Sequence, residues 1–249
     1  MFREILKQSD STAVATAAAE AFVLEVGKLL ATKDQIHVSI TGGSVGILTL
    51  VKIGEQPGVA DLDWNRVHIW WGDDRFVAAD NADRNSLQAK DALLKSLPLD
   101  EANIHAFPAL DPQSATSAAK QLDSAAEAFS AEVTRFIEPG SSQLLFDITI
   151  LGMGPDGHIA SLFPGHATPA SGTIILAEHN SPKPPPQRLS FSYEAINHSN
   201  EIWFVVAGAD KAEAVSVAFS DAPTRLPVGR VNAISKTVWF IDEAAGAGI

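Results

Sequence analysis

Apolar segments of strand length alternate with amphipathic segments of helix length along most of the chain, and this order constrains the fold more than any other feature. Helices are predicted over Thr12 to Leu30, Val45 to Ile53, Asn85 to Leu97, Ser114 to Ile137 and Asp210 to Phe219. Strands are predicted over Ile36 to Thr41, Arg66 to Trp71, Phe146 to Leu151, Thr173 to Ala177, Leu189 to Ser192, Ile202 to Ala207 and Thr237 to Ile241. The alternation predicts a three-layer α/β/α fold with a mostly parallel, Rossmann-like central sheet, in which ligands bind beyond the carboxyl ends of the strands.

The composition is that of an ordinary globular chain. Of its 249 residues 46% are hydrophobic and 19% charged, so we expect one domain over residues 1–249 with a sizeable core. Cysteine is absent, which excludes a disulfide scaffold and a thiolate nucleophile. The chain starts without the basic and apolar segments of an export signal and has no membrane-spanning run, so we expect a cytoplasmic protein without a membrane partner.

The formal net charge of −12 limits the choice of partners. Nucleic-acid binding depends largely on basic surface that neutralises phosphates, so neither DNA nor RNA is an expected ligand. An anionic substrate would be repelled by the overall field, and a local group of arginine and lysine side chains would have to overcome that repulsion.

The first candidate loop is Thr41-Gly42-Gly43-Ser44, which follows a predicted strand. Glycines let backbone N–H groups approach a ligand, and the helix that begins after them offers its positive end to a phosphate. An ordinary strand-to-helix turn with Ser44 as N-cap explains the loop equally well. The longer run Gly42-Gly43-Ser44-Val45-Gly46 also fits the G-x-S-x-G pattern of α/β-hydrolases. Only one predicted strand precedes it and no upstream oxyanion-hole loop is present, which disfavours that interpretation.

The second candidate loop carries Asp73, Asp74 and Arg75 after the strand that ends at Trp71. Two carboxylates beside a guanidinium group could orient sugar hydroxyls and bind an anionic group. Taken alone, an exposed charged turn in which Arg75 pairs with its own neighbours is the better explanation.

The third candidate loop is Gly152-Met153-Gly154-Pro155-Asp156-Gly157-His158. It contains a formal G-x-G-x-x-G, but a dinucleotide fingerprint opens a long helix, and Pro164-Gly165 would end any helix that starts at His158 within two turns. His158 is instead a candidate general base, with Asp156 close enough to fix its tautomer. For a lone histidine in a turn, a surface residue without a catalytic role is the competing interpretation.

In combination these segments resemble the 6-phosphogluconolactonase family. The resemblance covers nearly the whole chain and is most specific in the third block. Its four blocks are Thr41-Gly42-Gly43-Ser44, Asp73-Asp74-Arg75, Leu151-Gly152-Met153-Gly154-Pro155-Asp156-Gly157-His158-Ile159-Ala160-Ser161-Leu162-Phe163-Pro164-Gly165 and Lys183-Pro184-Pro185-Pro186-Gln187-Arg188-Leu189-Ser190. It implies the fold shared with glucosamine-6-phosphate deaminases and ribose-5-phosphate isomerases.

The resemblance also implies hydrolysis of a small phosphorylated sugar lactone, 6-phospho-D-glucono-1,5-lactone, without cofactor or metal. His158 would act as the base with support from Asp156, and Arg75 and Lys183 would hold charge near the substrate. The substrate-binding positions would be Gly42, Gly43, Ser44, Asp73, Lys183, Arg188 and Lys211. Such an enzyme would be a monomer or a small homo-oligomer. The chain departs from the family pattern at Val45-Gly46, where Thr-Pro is usual, at Asp74 and at Arg84.

Three alternative functions fit the sequence less well. A glucosamine-6-phosphate deaminase or related isomerase needs an acidic residue where this chain has Phe163, and a benzyl group cannot transfer a proton. A sugar-phosphate sensor of a transcription regulator would normally carry a basic helix-turn-helix, whereas this chain is expected to begin directly with its first helix. A metal hydrolase is disfavoured because the seven histidines show no H-E-x-x-H or comparable ligand spacing.

Overall fold

A six-stranded parallel sheet forms the centre of the protein, in a computed structural model that describes residues 2–141 and 143–249. Its strand order is β1-β9-β8-β5-β2-β3, and every neighbouring pair is parallel. The strands are β1 (Phe2–Gln8), β2 (Ile36–Ile40), β3 (Val67–Trp71), β5 (Phe146–Leu151), β8 (Ser199–Val206) and β9 (Lys236–Asp242). This architecture confirms the fold class predicted from the sequence.

Helices cover the sheet. They are α1 (Ser11–Leu30), α2 (Ser44–Gly54), α3 (Asn85–Ala92), α4 (Ala118–Thr134), α5 (Tyr193–Asn197) and α6 (Ala212–Ala218). The α1 helix begins where the Asp10 carboxylate accepts a hydrogen bond from the backbone N–H of Ala13, and it buries a stripe that includes Phe22 and Val26. It packs against α2, and both helices contact β8. No helix in the described residues is long and apolar enough to cross a membrane.

Three of the strands form a separate antiparallel sheet, which the sequence did not predict. Its order is β4-β7-β6, built from β4 (Asp73–Arg75), β7 (Arg188–Phe191) and β6 (Ile175–Glu178). Gly72 joins the two sheets, because its N–H donates to Ile40 O (3.0 Å) and its carbonyl accepts from Phe191 N (3.0 Å). The second candidate loop is therefore partly a strand rather than an exposed turn.

The expectation that the chain enters directly into its first helix is wrong. Strand β1 precedes α1 and pairs along its whole length with β9. Its residues from Arg3 to Gln8 alternate between exposed and half-buried positions, as an edge strand allows, and so lack the apolar run that identifies the central strands.

Candidate active site

A cleft of about 220 Å³ lies at the carboxyl ends of β2, β3, β5 and β8. All of the site residues predicted from the sequence line it except Asp156, which contacts two of the lining side chains, His158 and Lys183. The three candidate loops thus converge at one place, although strands β2 and β5, which carry the first and third of them, are more than 100 residues apart in the chain.

Asp156 and Lys183 both contact the Nδ1 atom of His158. Asp156 Oδ1 lies 2.5 Å from Nδ1, and Lys183 Nζ lies 3.3 Å from the same atom. Burial raises the pKa of Asp156, but the hydrogen bond and charge of His158 and the charge of Lys183 outweigh it and lower that pKa. An ionised carboxylate can only accept, so Nδ1 carries the proton and Nε2 has a free lone pair. Nε2 makes no hydrogen bond with the residues that the structure describes.

Burial lowers the pKa of His158 below its ordinary value. The hydrogen bond and the negative charge of Asp156 act in the opposite direction, while the positive charge of Lys183 lowers the pKa further. The imidazole is therefore neutral near pH 7, which is the protonation state a general base requires.

The glycines of the third loop serve the turn that holds His158. The N–H of Gly154 donates to His158 O (2.9 Å), and the N–H of Gly157 donates to Gly154 O (2.9 Å). A Cβ atom at Gly154 would lie 2.0 Å from the His158 ring, and Gly157 has φ +76°, a conformation that side chains rarely adopt. The second and third glycines of the formal G-x-G-x-x-G therefore have a structural role in this turn that requires no dinucleotide.

The first loop presents the amino end of α2 to the cleft. Gly43 is the N-cap, with φ +79° and no side-chain cap, so Ser44 is the first helical residue and its proposed N-cap role is wrong. The first helical hydrogen bond runs from Ile47 N to Gly43 O (2.8 Å), which leaves the preceding amides without an acceptor in the helix. At Gly46, where the chain departs from the family pattern, the backbone lies close to the side chain of Thr41. A Cβ atom at this position would lie 2.6 Å from Thr41 Cγ2.

Asp73 is a buried carboxylate at the base of the cleft. Burial raises its pKa, and this is only partly offset by the Ser161 hydroxyl, which donates to Oδ2 (2.6 Å), and by the Arg188 guanidinium, whose Nη1 lies 3.9 Å away. The amide of Asn85 donates to Asp73 O (2.9 Å), while Asn85 Oδ1 is buried without a partner in the described residues. The sequence did not assign Asn85 or Ser161 to the site, although Ser161 lies in the third block and Asn85 begins a predicted helix.

The neighbouring Asp74 fixes the second loop from within the core. Its Oδ1 accepts from the backbone N–H of Arg75 (2.8 Å) and of Asn85 (2.6 Å), and its Oδ2 accepts from Ser86 Oγ (2.7 Å) and from the buried Arg84 guanidinium (3.1 Å). The prediction of an exposed turn in which Arg75 pairs with its acidic neighbours is therefore wrong. Arg75 donates instead to the carbonyl of Asp83 and lines the cleft.

The last two basic residues reach the cleft from different elements. Arg188, on β7, donates from Nη2 to Lys183 O (3.1 Å) and Pro184 O (3.2 Å) and from Nε to Pro185 O (3.1 Å). It thereby holds the proline-rich loop that carries Lys183. Lys211 precedes α6, and its Nζ pairs with Asp210 Oδ2 at 2.9 Å.

No cluster of three or more histidine and acidic side chains in the described part of the chain could hold a metal ion.

Residues 9–239 match the model of the family described as glucosamine-6-phosphate isomerases/6-phosphogluconolactonase. The chain belongs to this family.

Relatives of this chain match it over nearly the full length of both proteins. A protein of Mycobacterium leprae named 6-phosphogluconolactonase is 35% identical over 243 residues, which are 97% of this chain and 96% of the relative. A Streptomyces coelicolor protein of the same name is 34% identical over 98% of this chain and 94% of its own length. The crystal structure of a 6-phosphogluconolactonase from Thermotoga maritima has a TM-score of 0.79 at 27% identity and covers 96% of this chain and 99% of that one.

Proposed function

We propose that this protein hydrolyses 6-phospho-D-glucono-1,5-lactone to 6-phosphogluconate, the second step of the pentose phosphate pathway, with His158 as general base. The observation that carries the proposal is the His158 ring, whose Nδ1 is held by Asp156 and whose Nε2 has no partner in the described residues. The relatives that match over full length carry the name of this activity.

The proposed reaction begins when His158 Nε2 takes a proton from a water molecule. The resulting hydroxide adds to the carbonyl carbon of the lactone and forms a tetrahedral oxyanion. Arg75 and Lys183 supply positive charge for that oxyanion, and Asp156 stabilises the imidazolium. When the bond between the carbonyl carbon and the ring oxygen breaks, His158 returns the proton to the ring oxygen. The new carboxylic acid then ionises and releases one proton to solvent.

The amino end of α2 is the proposed phosphate site. Its amides before Ile47 lack helical acceptors, and the helix dipole favours an anion there. Lys211 and Arg188 line the same cleft and add positive charge to it. Asp73 and Asn85 offer oxygen atoms to sugar hydroxyls at the base of the cleft.

Phe163 weighs against the deaminase alternative. Its ring is buried and lies 4.9 Å from the His158 ring, centroid to centroid, in the position where the deaminase reaction needs an acidic group. A monomeric glucosamine-6-phosphate deaminase shares the fold, with a TM-score of 0.76, but at 16% identity the likeness concerns the fold alone.

We also propose that residues 1–249 form one domain that works without a cofactor, as a monomer or small homo-oligomer in the cytoplasm.

Acid release from freshly prepared 6-phosphogluconolactone tests the proposal. The purified protein is expected to accelerate acid release far above the spontaneous rate and to release no ammonium from glucosamine 6-phosphate. Acid release at the spontaneous rate would refute the lactonase assignment. Ammonium release would establish the deaminase instead.

A further inference from the structure

Three histidine side chains lie together beside α4, at the edge of the sheet that β2 and β3 form. His37 on β2 and His68 on β3 are register partners, and their ring centroids lie 4.7 Å apart. His105, from the chain between α3 and α4, has its ring centroid 5.2 Å from that of His68. His68 and His105 are each only 4% exposed. We call these three residues the histidine cluster, and none of them lines the active-site cleft.

A chain of hydrogen bonds fixes where the protons of the cluster lie. His105 Nδ1 lies 3.0 Å from Glu132 Oε1, and His105 Nε2 lies 2.9 Å from His68 Nδ1. An ionised carboxylate can only accept, so His105 donates from Nδ1 and accepts at Nε2, and His68 donates from Nδ1. His37 accepts at Nδ1 from the indole N–H of Trp70 (3.1 Å). Each ring therefore carries one proton and is neutral.

A second proton on these rings would meet unfavourable contacts. On His68 it would occupy Nε2, which is buried and has no hydrogen-bond partner in the described part of the chain. On His37 it would occupy Nδ1, where it would oppose the indole N–H of Trp70 and remove that hydrogen bond. A buried donor without an acceptor costs the full free energy of its desolvation, so the closed arrangement favours neutral rings.

The charged groups that face the cluster offer little compensation for added positive charge. Lys33 faces His37 and is paired with Asp147, whose Oδ2 accepts from the backbone N–H of His37 (2.9 Å). On the α4 side, Glu132 bonds to His105, and its side chain is 39% exposed, so water screens its charge. One screened carboxylate cannot neutralise three imidazolium groups.

Burial keeps the cluster neutral below the pH at which exposed histidines take up a proton. It lowers the pKa of His37, together with the charges of the other two rings and of Lys33, from 6.5 to about 3. Burial and the charge of His105 lower the pKa of His68 to about 4. Burial also lowers the pKa of His105, against the hydrogen bond and charge of Glu132. In an opened chain the same rings protonate near pH 6.5, so the closed arrangement loses stability as the pH falls from 6.5 towards 4.

The cluster connects α4 to the sheet edge. The ring of Phe136, two residues beyond the end of α4, lies edge-on to all three histidines. Its centroid is 5.6 Å from His37, 5.2 Å from His68 and 4.8 Å from His105. Together with the hydrogen bond from His105 to Glu132, these contacts join the carboxyl-terminal part of α4 to β2 and β3.

We propose that the histidine cluster is an acid-sensitive fastening, which holds α4 against the β2–β3 edge at neutral pH and releases it in acid. The closed arrangement has no acceptors for the added protons, whereas in the opened arrangement water solvates the charged rings. This proposal does not depend on the lactonase assignment.

Amide hydrogen exchange of the full-length protein tests the release. Protection factors are compared at pH 7 and pH 5 after correction for the pH dependence of exchange in free amides. At the buried α4 residues Leu122, Phe129 and Val133 they should fall by about 10²-fold, because opening takes up about two protons over this range. At Phe22 and Val26 of α1, which lie outside the cluster, they should fall much less. Equal losses in both helices would show that acid acts on the whole fold, and the fastening would be wrong.

Two variants remove a titratable ring and keep its hydrogen bond. The side-chain amide of asparagine places an oxygen or a nitrogen near the position of Nδ1. His37→Asn can therefore still accept from Trp70, and His68→Asn can still donate to His105. Each variant should reduce the number of protons taken up on unfolding near pH 5.5 by about one.

The slope of the free energy of unfolding against pH measures this number of protons. Urea unfolding between pH 5 and 7 gives the slope, which a uniform loss of stability in a variant does not change. The matched control is His179→Asn, which removes a histidine outside the cluster that pairs with Asp123 and should not reduce proton uptake. Wild-type uptake in His37→Asn, which lies at the partly exposed position and so tolerates substitution best, would overturn the role of the cluster.

Discussion

His158 has two charged neighbours at one ring nitrogen, and their effects on its pKa are opposite. Asp156 raises this pKa through a hydrogen bond and its negative charge, and Lys183 lowers it through its positive charge. Burial lowers it more than any other influence. Since the neutral imidazole is the form that the proposed general base requires, we expect burial and the two neighbours together to set the pH below which activity is lost.

Substitutions of the two neighbours should move the acid limb of the pH profile in opposite directions. Asp156→Asn removes the anion, so the pKa of His158 falls and the loss of kcat/KM moves to lower pH. Lys183→Met removes the cation, so the pKa rises and the loss moves to higher pH. Profiles of kcat/KM from about pH 4.5 to 7.5 measure both shifts. Shifts of the same sign, or unchanged profiles, would separate this acid limb from His158.

At the residue scale, the sequence predicted those residues of the cleft that stand in a distinctive motif. His158 was found because glycines, a proline and an aspartate surround it. Asn85 and Ser161 were not assigned, because an asparagine at the start of a helix or a serine in a loop has many ordinary roles. Ser161 acquires its partner, Asp73, from a position 88 residues away, and only the folded chain brings the two together.

At the element scale, apolar periodicity predicted the central strands well and the polar ones poorly. Strand β5 was predicted with its observed bounds, Phe146–Leu151, because all of its residues are buried. Strand β4, Asp73–Arg75, was predicted as an acidic turn, because three charged residues give no strand pattern. It forms a strand because β7 offers it a pairing edge and because Arg84 and Ser86 compensate the buried Asp74 carboxylate.

The connection between β4 and α3 should therefore depend on Arg84. In Arg84→Met the buried carboxylate of Asp74 loses its cation, and we expect the free energy of unfolding to fall by about 3 kcal/mol. Lys95→Met, which breaks the exposed pair with Asp91, should cost no more than about 0.5 kcal/mol. Urea unfolding of both variants measures the difference. Equal losses would mean that the buried pair does not fix this connection.

At the scale of the whole molecule, the net charge opposes the proposed anionic substrate, whereas the active-site cleft gathers basic side chains. The net charge is −12, yet Arg75, Lys183, Arg188 and Lys211 line one cleft. Sequence composition alone could show the overall excess of acid, but the grouping of these cations depends on β4, β7, the proline-rich loop and the start of α6 meeting at one edge of the sheet.

Strand β1 is an edge strand of the sheet and pairs with β9. Removal of residues 2–8 deletes seven ladder positions, and we expect the free energy of unfolding to fall by ~3 kcal/mol or more, at about 1 kcal/mol per lost hydrogen bond. The KM for lactone should stay unchanged, because no β1 residue lines the cleft. Urea unfolding and steady-state kinetics test both expectations, and an unchanged unfolding midpoint would contradict the first.

The central claim is that His158 performs base catalysis of lactone hydrolysis, and one pair of variants tests it most directly. His158→Ala should lower kcat about 10²-fold or more, the usual scale for loss of a general base. His179→Ala, which removes a histidine that pairs with Asp123 at 2.8 Å outside the cleft, should retain wild-type turnover. Initial rates of acid release on fresh 6-phosphogluconolactone compare the two. Wild-type turnover in His158→Ala would contradict the account.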